Sequence, residues 1–514
     1  MNSGQARTLL AQAGAALTVS ALIAGCGNNY RPVVTPITPS GPAAQVTSYV
    51  VVVSNTGTTT PGEATIIDYS GDAIMAVAPI GVGPYAFTID ALASEGYTIN
   101  SDHTLTNFPI TTTLQAKNVT VSTLPSTAVP VNMMAPSSGL WAADLTGNVA
   151  DVFSGSPQTF KLAIPLVNTL PVSVFGPPTL TGQREYVLSQ NVADSAPMTC
   201  NASPRTAPLG SANPIEIASN TADPPIAVGK CPVYAVQSSD LKRFYVLNRG
   251  DDTVTVINSQ DNTLDDQCPA PAGCVNQNGQ TYFTHPVLPL SLDAVTATGV
   301  TPPNGTTGMT ATAGPVYAEY NAATQQLVVA NYDGGTISVI DVSLDEYGND
   351  SSTFGTTYTI PVGNTATPDP ASVTVLADGS KAYTANQNDT APDSVNGTVT
   401  VVNLSTHTVE KTLTVTGHPR TVASTQNSEY SKVYVAAPDS PQLTVIESTP
   451  TVTDQIDTTI LIEGNVVDLR VTTQNGSSGN ANFTSRVPGY GQPCNLPGAS
   501  QTDTLADCQS IQIQ

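Results

Sequence analysis

Positive charge is what this chain has least of. Its 514 residues carry 16 Lys and Arg against 39 Asp and Glu, a formal net charge of −23. Affinity for nucleic acid comes from basic side chains that neutralise phosphates, so a nucleic-acid partner is excluded. Docking of a polybasic face on anionic lipid headgroups is disfavoured for the same reason. Tryptophan occurs once, at Trp141, and histidine four times, at His103, His285, His407 and His418. Cys-x-x-Cys-His, Gly-x-Ser-x-Gly and His-Glu-x-x-His are all missing. Their absence argues against c-type haem, the nucleophile elbow of α/β-hydrolases and helical zinc proteases. Helical periodicity is hard to find after residue 30, and Thr, Ser, Val, Ala, Asn, Gly and Pro dominate, a β-rich and turn-rich composition.

One apolar run stands apart. It extends from Leu9 to Ala24, follows the single basic residue Arg7, and ends in small residues before Cys26. It is short for a membrane span and reads as a secretion signal over residues 1–25. Ile23-Ala24-Gly25-Cys26 resembles the lipobox of bacterial prolipoproteins. That resemblance implies cleavage before Cys26, a diacylglyceryl thioether on its sulfur and an acylated new N-terminus. Two or more acyl chains anchor a protein stably, so the membrane partner would be reached through lipid. Gly27 stands where an inner-membrane retention Asp often follows, which favours the outer membrane. Residues 27–47 are rich in Pro and polar residues without periodicity, so 26–47 reads as lipidated cysteine plus extended tether.

The other six cysteines fall into three local couples, read as Cys200–Cys231, Cys268–Cys274 and Cys494–Cys508. An even number in an exported chain points to disulfides. Metal binding is the rival, but neither Cys-x-x-Cys nor a nearby His supports it.

A pattern recurs along the middle of the chain. An apolar strand ends in a small polar residue, a Gly/Asp turn follows, then a Thr-Val-Ser-Val-Ile-like strand. Clear copies start at Tyr245 (YVLN, then TVTVIN), Val328 (VVAN, TISVID), Tyr383 (YTAN, TVTVVN) and Tyr434 (YVAA, LTVIES); weaker ones start at Val52, Tyr97, Trp141 and Tyr186. Pro84, Pro130, Pro171, Pro232, Pro315, Pro370 and Pro419 precede seven of the eight starts and introduce short apolar strands. Proline suits the first residue of a strand, where its missing N–H breaks no ladder bond. Four short strands in about 45 residues is the unit of a β-propeller blade.

These copies resemble the YVTN-type β-propeller repeat family, over about residues 48–475, strongly from Pro232 to Glu447 and weakly in the first three units. The resemblance implies an all-β, closed propeller of four-stranded blades. Eight is the count from the copies, and seven stays open because the weak early units could merge. The spare strand Val466–Thr473 is expected to pair beside the Val52 strand and close the ring, which removes exposed sheet edges. Residues 476–514 form a tail pinned by Cys494–Cys508. The overlong units hold Cys200 with Cys231 and Cys268 with Cys274, as disulfide-stapled insertions. Loop-closure entropy grows only logarithmically with length, so such insertions are tolerated.

Quinone-dependent propeller dehydrogenases place a tryptophan in most blades, and a copper enzyme related to the YVTN propellers needs more than four histidines. No cofactor is therefore expected. His418 and Arg420 share one turn at the expected channel mouth and are the low-ranked candidates for binding an anion. Arg249-Gly250-Asp251 reads as turn chemistry rather than an adhesion tripeptide. Asp345, Glu346 and Asp350 read as a solvated acidic loop, since their spacing fits no EF-hand. The leading expectation is a non-catalytic module that binds a protein, glycan or cell-wall partner at the cell envelope. The alternative is a lactonase-like hydrolase with a channel metal. Converging carboxylates and amides in the channel would favour the enzyme, and a lining of Val, Ala, Thr and Ser would favour the binder.

Overall fold

Proline sets where a blade begins. In the computed structural model, which describes residues 48–472 apart from 137–138, 146, 178–183, 192–207, 277, 291–312, 390–395 and 450–453, six of the seven marked prolines are the first residue of an inner strand. These strands are Pro84–Ile89, Pro130–Met134, Pro171–Phe175, Pro232–Gln237, Pro315–Asn321 and Pro370–Val375. Each proline pairs with the last residue of the second strand, Pro232 with Asn248 for example, and a register shift follows at once. A residue with no N–H to donate is well placed beside such a bulge. The eighth inner strand, Thr421–Ser424, starts two residues after Pro419.

The described strands form eight antiparallel blades and one small hairpin, Cys274–Val275 with Thr281–Tyr282. Blades two to eight start at Pro84, Pro130, Pro171, Pro232, Pro315, Pro370 and Thr421, and the inner strands neighbour one another all round the ring. The fold is an eight-bladed β-propeller, so the early units do not merge. The first blade is shared between distant parts of the chain. Tyr49–Asn55 pairs with Pro61–Asp68 on one side and with Asn465–Val471 on the other, with Val52 opposite Leu469. The closing strand lies where the sequence places it.

Alternation explains how one strand serves two interfaces. Successive side chains of a strand point to opposite faces. Val50 and Val52 pack with Leu469 against Tyr434, Leu443 and Val445 of the eighth blade. Val51 and Val53 pack with Ile66 against Phe87 and Phe108 of the second. All of these are essentially buried.

The two signature residues of the repeat have separate tasks. The Asn that ends the second strand donates its amide to two hydroxyls on the third. Asn248 Nδ2 reaches Thr253 Oγ1 at 3.0 Å and Thr255 Oγ1 at 2.8 Å; Asn331 reaches Thr336 and Ser338, Asn386 reaches Thr398 and Thr400, and Asn100 reaches Thr104 and Thr106. A buried amide needs such partners, and the Thr-x-Thr/Ser spacing supplies them on one face. The Tyr ties blades together. Tyr383 donates to Asp454 of the eighth blade, beside Lys381, whose Nζ lies 2.5 Å from the same carboxylate. Tyr434 and Lys432 bind Asp72 of the first blade in the same way.

The fifth blade carries the stapled insertion. Its fourth-strand position is filled by Thr263–Leu264 and by Val287–Pro289, both paired with Thr253–Asn258. Cys268 and Cys274 lie between these pieces and are joined, S–S 2.01 Å. Cys231 is buried and disulfide-bonded. Its expected partner Cys200 lies outside the described residues, as do Cys26, Cys494, Cys508, the signal, the tether and the tail.

The acidic loop departs from its solvated reading. Asp350 turns inward, is 5% exposed, and accepts Arg243 Nη2 at 2.9 Å while its other oxygen lies 2.8 Å from His285 Nδ1. Arg243 also donates Nε to Asp265 at 2.8 Å, so a buried ionic knot joins the insertion to the sixth blade. Asp345 keeps the turn, accepting the backbone N–H groups of Tyr347 and Asn349 at 2.8 and 2.9 Å.

Candidate functional site at the mouth of the ring

On the face where the inner strands begin, each second-to-third turn meets the segment leading into its blade's inner strand. Aspartates fasten this junction. Asp102 accepts Val82 N–H at 3.0 Å, Asp251 accepts Lys230 N–H at 3.0 Å, Asp389 accepts Asn364 and Thr365 N–H at 2.8 Å each, and Asp439 accepts His418 N–H at 2.8 Å. Part of the acidity read from the composition is therefore spent on capping turns. Asp251 also accepts Thr253 Oγ1, and Gly250 lies where a Cβ would meet Cys231 Sγ at 2.9 Å. The Arg-Gly-Asp stretch is held in place as turn structure.

The candidates His418 and Arg420 have different partners. His418 Nδ1 lies 2.5 Å from Asp439 Oδ2, and the hydrogen bond it donates to that carboxylate raises the imidazole above its ordinary value, against burial, which lowers it. Arg420 is 2% exposed and donates Nη1 to the Val467 carbonyl at 2.9 Å. Its guanidinium thus bridges from the eighth blade to the closing inner strand.

The sixth blade's turn is different, and sequence reading missed it. Asp333 is gripped by Arg249 of the preceding blade, Nε to Oδ2 at 3.0 Å and Nη2 to Oδ1 at 2.7 Å, a two-pronged pair that carries direction as well as charge. The guanidinium lies 5.8 Å from the Tyr332 ring centre. Asp369, immediately before Pro370, accepts Asn388 Nδ2 at 2.5 Å. Burial first, then the Asp333 charge, pushes the Asp369 carboxyl up to about 6, although Asn388 and Arg249 pull it down. Gln387 is fully buried beneath; its Oε1 lies 3.5 Å from the Tyr332 hydroxyl, and its Nε2 has no hydrogen-bonding partner among the described residues. Blades five to seven thus bring together an ion pair, a carboxyl able to donate or accept near neutral pH, and an unspent amide donor. The only signal in sequence is that polar residues follow Asn248, Asn331 and Asn386; their convergence needs the ring.

Deeper in the ring, inner-strand hydroxyls are spent on neighbours. Ser372 Oγ donates to the Arg420 carbonyl at 2.7 Å, and Thr374 Oγ1 lies 3.3 Å from Ser424 Oγ. Asn132 Oδ1 accepts Val174 N–H at 2.8 Å. Three charged side chains on these strands are engaged: Asp468 with Thr421 and Arg470, and Glu319 with Gln426. Among the described residues, no three His, Cys, Asp or Glu side chains gather as a metal site.

The class of protein is thus an eight-bladed propeller with a polar mouth. Solved structures share the fold at low identity. Dihydro-heme d1 dehydrogenase NirN in complex with DHE aligns with a TM-score of 0.53 and 12% identity over 86% of this chain and 78% of that one. Apo AztD from Citrobacter koseri aligns at 0.50 and 11% over 82% and 97%. A putative 6-phosphogluconolactonase from Bacteroides fragilis aligns at 0.47 and 14% over 84% and 99%. No family model and no curated protein matches the chain. Likeness at this level establishes architecture alone.

Proposed function

We propose that this chain is an exported lipoprotein, held to the outer membrane through lipid on Cys26, whose propeller binds a hydroxyl-rich cell-envelope glycan at the mouth formed by blades five to seven. The observation that carries the reading is the mouth itself: among the described residues Gln387 keeps a buried amide donor without a partner beside the Asp369 carboxyl and the exposed Asn388. Hydroxyls can both donate and accept, which such a set requires of a ligand. Ser372, Thr374, Asp468 and Glu319 deeper in the ring are already paired, which favours recognition at the rim over chemistry in the channel.

The test uses the full chain purified in detergent, with Asp369→Asn and Gln387→Ala variants. Retention of the wild type on cell-wall glycan, weakened at least tenfold in both variants, supports the reading. Metal-dependent turnover of lactones or sugar acids, abolished by changing mouth carboxylates, replaces it with the hydrolase. Intact mass showing an unmodified Cys26 thiol in membrane fractions removes the lipid anchor.

A further inference from the structure

The third blade breaks the repeat's hydrogen-bonding rule. In blades two, five, six and seven an Asn amide binds two hydroxyls of the third strand. Here the three positions are Asp144, Val149 and Asp151, with Val149 opposite Asp144 in the register. Two carboxyls replace an amide and a hydroxyl, and the other hydroxyl has become a valine. Both acids are deeply buried, at 2% and 1% exposure, and their side chains are hydrogen-bonded to each other. Asp144 accepts Val129 N–H at 3.1 Å and Gly147 N–H at 3.3 Å. Among the described residues, Asp151 Oδ2 is a buried acceptor without a hydrogen-bonding partner. A recess of about 320 Å³ lies against this pair, with Pro125, Thr127, Ala128, Val149, Phe160 and Ala163 as its other principal walls.

We propose that this recess is a binding site for a primary ammonium group on an aliphatic stem, such as a lysine side chain or an alkylamine. Three features select that class. The floor has acceptor capacity to spare, and an ammonium brings three donors and no acceptor. The walls are apolar apart from Thr127, which suits a methylene stem that buries its length and spends its charge at the tip. A hard divalent cation fits poorly, because calcium takes six to eight oxygens and this recess offers two carboxyls, one already capped by two backbone N–H groups.

Proton balance follows from the pairing. Burial, then the neighbouring Asp144, pushes the Asp151 carboxyl up to about 7, so near neutral pH Asp151 carries a proton that it shares with its neighbour. Bound ammonium keeps its own proton and replaces the shared one, which leaves to solvent. The groups facing the pair do not supply a counter-charge: Tyr85 is neutral, its hydroxyl donating to the Pro130 carbonyl, and Lys161, the charged residue of the outer strand Thr159–Pro165, is exposed. Affinity should therefore rise about tenfold between pH 6 and pH 8, as the shared proton becomes easier to displace.

Calorimetry of the full chain in detergent with n-pentylamine, n-pentanol and calcium chloride tests this at both pH values. The expected result is saturable amine binding with proton release, tighter at pH 8, and no pentanol binding. Asp144→Asn combined with Asp151→Thr restores the amide-to-hydroxyl pair that Asn100 and Thr106 make in the second blade, so it should keep the melting temperature and lose the amine. Absence of amine binding at both pH values overturns the proposal. So does equal binding by the rebuilt variant, equal binding of pentanol, or calcium binding that the amine cannot displace.

Discussion

Lys432 in the last blade binds the carboxylate of Asp72 in the first, across the seam where the ring closes, and Tyr434 two residues on donates to the other oxygen of the same group. Lys381 and Tyr383 repeat the arrangement on Asp454 between blades seven and eight. The seam is thus fastened by a device also used inside the ring, in addition to the strand pairing of Val52 with Leu469.

Removing the closing strand should therefore cost more than its own contacts. Truncation after Gly464 strips the first blade's inner strand and opens both interfaces it fills. Leu469→Ala is the milder version, expected to cost about 2–5 kcal/mol. Urea unfolding should show one cooperative transition at a lower midpoint for the point variant. An unchanged midpoint would count against closure through this strand.

Asn386→Ala should cost about 1–3 kcal/mol, because it leaves the buried Thr398 and Thr400 hydroxyls without their shared partner. Val167→Ala, at a loop side chain that is 83% exposed, is the control and should stay within about 0.5 kcal/mol. Equal effects at the two sites would show that the repeat's Asn is not a structural clamp.

The His418–Asp439 pair gives a signed pH dependence. The folded imidazole is raised above its unfolded value, chiefly by the hydrogen bond to Asp439. Its contribution is fully present below the unfolded value of about 6.5 and fades as pH rises through the higher folded value. Urea midpoints should decline over that window in the wild type, and His418→Gln should flatten the decline. A decline of the same size in the variant would assign it to another group.

Peptide mapping without reduction should give Cys268–Cys274 and a Cys200–Cys231 linkage, with Cys494 joined to Cys508. A crossed linkage between couples would mean that the insertions are not separately stapled.

The ring was legible in sequence because its cues are local. A proline opening a strand and an Asn five residues before a Thr-x-Thr both act within a few residues, so Pro232, Asn248 and Thr253 can be read directly. What could not be read joins distant turns. Asp333 is an ordinary turn residue until Arg249 reaches it from the blade before, and Asp350 looks solvated until Arg243 and His285 close over it. Asp144 ends the weak copy that starts at Trp141, yet only the register, with Val149 opposite Asp144, brings Asp151 onto the same face. His418 and Arg420 are neighbours in sequence whose partners, Asp439 and the Val467 carbonyl, lie on different blades.

The seam also fixes an order of events. Tyr49 N–H donates to Thr472 Oγ1 at 2.8 Å across a sequence separation of 423. During synthesis, then, the first three strands emerge at once and must wait for nearly the whole chain before their blade is complete. Contacts this distant slow folding and leave an unpaired edge available to other chains in the meantime. The ring therefore commits only when Asn465–Val471, the last of the described strands, is made.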